Sequence, residues 1–92
     1  MKINIRYTTQ LRMALGIDSE EIVVPQTCTL LELLQQLKQR FPEKLEQYVL
    51  NAQGELQPSV LLCVDNQHVG SDLSVALHEG VEVTILSVIS GG

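Results

Sequence analysis

Long apolar runs are missing from this chain of 92 residues. Spanning a bilayer needs roughly 18 consecutive apolar residues, so a membrane-spanning protein is excluded. The N-terminal alternation Lys2-Ile3-Asn4-Ile5-Arg6 has no apolar block of the signal-peptide kind, and a cytoplasmic location is expected. Basic charge is scarce: six Lys and Arg stand against eleven Asp and Glu, giving a net charge of −5. Nucleic acid is not expected as a partner, because phosphate neutralisation needs clustered basic side chains. Cysteine is sparse too. Cys28 and Cys63 lie 35 positions apart with no CxxC pair, which reads as two free thiols. With His68 and His78 they match no zinc-ligand spacing, so no metal site is expected. GxSxG, HExxH, P-loop and GxGxxG motifs are all absent. His68, His78, Glu20, Glu21, Glu43 and Glu46 read as solvated surface groups, so the chain makes a poor enzyme on its own. There is no internal repeat and no low-complexity segment.

What remains is one small domain with 45% apolar residues, enough for a packed core. Residues 2–7 alternate with Ile3, Ile5 and Tyr7 on one face, a half-buried strand. Residues 8–16 read as a loop with one helical turn, closed by Gly16. Residues 21–24 form a second strand, stopped by Pro25 and antiparallel to the first. Thr29-Leu30-Leu31-Glu32 fits a capping box, with Cys28 and Leu33 placed as a hydrophobic staple. The helix it opens carries Leu30, Leu33, Leu34, Leu37 and Phe41 as one apolar stripe, turns Gln35, Gln36, Gln39 and Arg40 outward, and ends at Pro42.

Residues 43–50 suggest a short second helix, and residues 59–64 and 81–88 are strands. Residues 65–68 read as a turn, while 72–77 are ambiguous. This order predicts an α+β architecture: a mixed sheet with one main helix packed on one face, the first and last strands central and adjacent. The predicted core is Ile3, Ile5, Ile22, Val24, Leu30, Leu34, Leu37, Val60, Leu62, Val64, Val83 and Ile85. That phase turns Leu61, Cys63, Leu86 and Val88 to the opposite face, where they form an apolar patch for docking partners. The bland alternative is that residues 43–58 or 65–77 cover that face.

The last strand runs into Ile89-Ser90-Gly91-Gly92. Glycine loses the most backbone entropy on ordering, so a terminal Gly-Gly adds nothing to a fold. It suits a tail that threads a narrow channel and presents an unhindered carboxylate. Two glycines and no apolar anchor beyond Ile89 predict that residues 89–92 are a mobile tail after a domain at 1–88.

At this point the whole chain resembles the ubiquitin-like β-grasp sulfur carriers of the MoaD/ThiS family. The resemblance lies in the opening K-I-N-I-R-Y, the helix L-L-E-L-L-Q-Q-L, the strand V-L-L-C-V-D-N and the ending E-G-V-E-V-T-I-L-S-V-I-S-G-G. The segment F-P-E-K-L and the strand after it are similar to the CysO-type branch. Members often carry Pro before the tail, where this chain has Ser87 and Val88, and Gly-Asp in the last turn, where it has Gly80-Val81.

The resemblance implies a ubiquitin-like β-grasp fold and a carrier rather than an enzyme. An adenylating, ubiquitin-activating-like enzyme would use ATP on the carboxylate of Gly92. A sulfur donor would then displace AMP to leave a thiocarboxylate, with Gly91 and Ser90 threading the tail into the active site. The acceptor would be an enzyme such as a molybdopterin synthase large subunit or a cysteine synthase, with no cofactor bound to the carrier itself. Two other readings stand beside it: a non-covalent β-grasp interaction module, and a ubiquitin-like modifier conjugated through Gly92.

Overall fold

A computed structural model describes residues 1–70 and 72–87. Strand β1 (Lys2–Thr8) buries Ile3, Ile5 and Tyr7 and exposes Lys2, Asn4 and Arg6. Helix α1 (Thr9–Leu15) follows, then β2 (Ser19–Val23), α2 (Leu30–Arg40), α3 (Pro42–Tyr48), β3 (Val60–Val64), β4 (Gln67–His68) and β5 (Glu82–Ser87). Among the described residues the strands form one mixed sheet in the order β2-β1-β5-β3-β4. β1 runs parallel to β5 and antiparallel to β2, and β3 runs antiparallel to both β5 and β4. The first and last strands are therefore central and side by side, as the sequence predicts.

The main helix forms because its N-terminus is fully capped. Thr29 Oγ1 accepts the N–H of Glu32, and Glu32 Oε1 accepts the N–H of Thr29. The two helical N–H groups before Glu32 find long-range acceptors: Leu30 donates to the carbonyl of Val75 and Leu31 to that of Leu73, both at 2.9 Å. The segment 72–77, illegible in the sequence, thus satisfies donors that a helix start otherwise leaves to water. Leu30, Leu33, Leu34 and Leu37 are fully buried beneath the helix. Each such side chain contributes about 1.5–3 kcal/mol of burial free energy. Phe41 is half-buried and lies outside the α region (φ −132°, ψ 65°), which the proline after it disfavours, and Pro42 opens α3.

Every predicted core residue is buried except Val64, which is half-buried and packs against the core. The core also takes in Tyr7, Leu11, Cys28, Leu45, Val49, Leu50, Leu77 and Val81. Tyr7 is accommodated because its hydroxyl donates to Glu20 Oε2 at 2.7 Å, while Arg40 donates to Glu20 Oε1 at 2.6 Å. Burial first, then the neighbouring carboxylate, hold this phenol far above its ordinary pKa, so it stays a donor.

Three expectations need correction. Residues 9–15 are a two-turn helix rather than a loop with one turn. Gly16 closes it at φ 77°, its N–H donating to the carbonyl of Arg12. The second strand begins at Ser19 rather than Glu21, because β1 pairs back as far as Arg6 opposite Ser19. The turn at 65–68 contains a two-residue strand. Asp65 and Asn66, with φ 50° and 69°, make the tight turn that reverses β3 into β4.

Thr29→Ala should cost about 1 kcal/mol through the lost cap, and Leu34→Ala about 2–5 kcal/mol through the cavity it leaves. Chemical denaturation checks both, and equal losses would contradict this division between cap and core.

Candidate functional site

On the face of the sheet opposite α2, Asn4, Arg6 and Leu61 are exposed while Glu82, Thr84 and Leu86 are half-buried, and the character of the face changes along β5. At the start of β5 it is polar. Asp65 Oδ1 accepts the N–H of Glu82 at 3.0 Å, the N–H of Asp65 donates to the carbonyl of Glu82 at 2.8 Å, and His78 Nε2 lies 3.3 Å from Asp65 Oδ2. Glu79 accepts the backbone N–H of Lys2 at the same end. These contacts fix the β3–β4 turn against the start of the central strand.

Towards the other end the face becomes apolar. The register sets Leu61 directly opposite Leu86, and Cys63 opposite Thr84. Residues opposed in this way share a face at contact distance. Leu61 is 42% exposed, while Leu86 and Cys63 are half-buried. Residues 43–58 and 65–77 therefore leave Leu61 open to solvent. Three of the four predicted patch residues come together as expected; the fourth, Val88, lies outside the described residues, as do Ser90, Gly91 and Gly92.

Thr8 was not legible as part of this region. It stands beside Leu86 in the parallel register and its hydroxyl donates to the carbonyl of Ile85 at 3.0 Å. Nothing local signals this, since the partners are 77 positions apart. The next residue, Thr9, holds φ 51°. A β-branched residue in the left-handed region carries strain of roughly 1–3 kcal/mol, sustained only by its surroundings.

The two thiols are separated by the fold. Cys28 is buried beside the start of α2, whereas Cys63 is half-exposed on the outer face. Burial, and then the carboxylate of Glu32, push the Cys28 thiol up in pKa, leaving less thiolate at neutral pH. Among the described residues no three His, Cys, Asp or Glu side chains group to hold a metal ion, and no helix is long and apolar enough to cross a membrane.

The ThiS family model matches residues 5–92. No curated protein matches the sequence. Among solved structures, the chain is similar to SAMP1, a small archaeal modifier protein, from Haloferax volcanii: TM-score 0.86, 22% identity, all of both chains covered. It is similar to a putative molybdopterin converting factor subunit 1 from Pyrococcus furiosus, with TM-score 0.76, 24% identity and coverage of 97% and 99%. It also resembles a chain of the BexX/CysO complex from Amycolatopsis orientalis, with TM-score 0.69, 22% identity and coverage of 98% and 99%. These likenesses show that the fold is the ubiquitin-like β-grasp.

The two faces of β3 should respond oppositely to charge. Leu61→Asp should change stability by no more than about 0.5–1 kcal/mol, while Leu62→Asp, fully buried, should lose roughly 3 kcal/mol or more. Thermal unfolding distinguishes them. Mass spectrometry after brief alkylation of the native protein should show Cys63 modified well before Cys28; the reverse order would mean that the fold exposes the wrong thiol.

Proposed function

The chain belongs to the ThiS family, and on that premise we propose that it is a sulfur carrier whose Gly92 carboxylate is the working group. The observation that carries this reading is the extent of the family match, which runs through the sheet and on to Gly91 and Gly92. The likeness to a putative molybdopterin converting factor subunit and to a chain of the BexX/CysO complex supports it.

In this reading the carboxylate of Gly92 attacks the α-phosphate of ATP on an adenylating enzyme, releasing pyrophosphate and forming an acyl adenylate. A sulfur donor then displaces AMP and leaves a thiocarboxylate, whose sulfur passes to an acceptor on a second enzyme. Molybdopterin formation and cysteine formation are the two acceptor chemistries in view. The catalytic groups belong to the partners, ATP is bound by the adenylating enzyme, and the carrier holds no cofactor. Gly91 and Ser90 pass through a narrow channel, where the lack of a Cβ at Gly91 avoids its walls. The pair Leu61 and Leu86, with Cys63 on the same face, docks the partner and aims the tail.

A modifier role, with Gly92 conjugated to lysines of other proteins, is the second reading. It is favoured by the likeness to a protein named as a small archaeal modifier.

Incubation with the adenylating enzyme, ATP and a sulfur source, followed by intact mass, separates the two. Replacement of one oxygen by sulfur in the carrier is expected; a ladder of conjugates without that mass change would favour the modifier. Deleting Gly92, or Gly91→Phe, should abolish activation without altering thermal unfolding. Leu61→Asp or Leu86→Asp should raise the dissociation constant for the activating enzyme severalfold, and unchanged affinity in a folded variant would remove the patch from the docking surface.

A further inference from the structure

We draw no further inference here: the strongest candidate, the open edge of β2 with the groove that Pro25, Cys28, Glu32 and Gln36 line beside it, carries nothing because nothing in the structure shows what covers it.

Discussion

The parallel pairing of β1 with β5 organises the molecule. It joins the start of the chain to its last described strand along five registered positions, Asn4 with Glu82 through Thr8 with Leu86. Everything between must be accommodated around that seam. β2 adds to one side, β3 and β4 to the other, and α2 spans the inner face. A central parallel pair buries one row of side chains from each strand, here Ile5 and Tyr7 against Val83 and Ile85, with Ile3 and, just before β5, Val81 also buried. Because both strands are interior, neither can slip by one residue without turning those rows to the outside. The placement of Leu86 beside Thr8, and so the whole apolar end of the outer face, is inherited from that register.

Polar groups then determine how the other elements attach to the seam. The irregular segment 72–77 exists to supply carbonyls to α2, with Leu77 N–H returning the bond to Cys28. Glu20 joins β2 to α2 by accepting from both Tyr7 and Arg40, whose guanidinium also lies 4.9 Å from the Phe41 ring centroid. Asp65 fixes the β3–β4 turn to the start of β5. Each tie brings together residues far apart in the chain. Each also satisfies a donor or charge that would be costly if left without a partner.

This division explains what could be read from the residues alone. Period-two alternation in 2–7 and the leucine stripe of 30–37 are local signals backed by burial, so the core and the faces of the central strands were legible. The capping box was legible because both halves lie within four residues. Helix α1 was under-read because its start has no side-chain cap and a left-handed first residue, neither of which helical spacing anticipates. Segment 72–77 was illegible because its role is to offer backbone carbonyls, which no side-chain pattern encodes. At the candidate site, Leu61 and Leu86 followed from alternation, whereas Thr8 depended on a contact across nearly the full chain.

The central position of β5 also bears on synthesis. A ribosome delivers β1 first and residues 82–87 after every other described element. Until that strand arrives, β1 and β3 each present an unsatisfied hydrogen-bonding edge, and the leucines of α2 have half a sheet to rest on. Contacts of such long sequence separation form slowly, and the nascent chain stays open with exposed edges that invite pairing with a neighbour. A chain built this way closes its sheet only once β5 has left the ribosome, and a truncation that removes residues 82–87 takes away the strand on which β1 and β3 both pair.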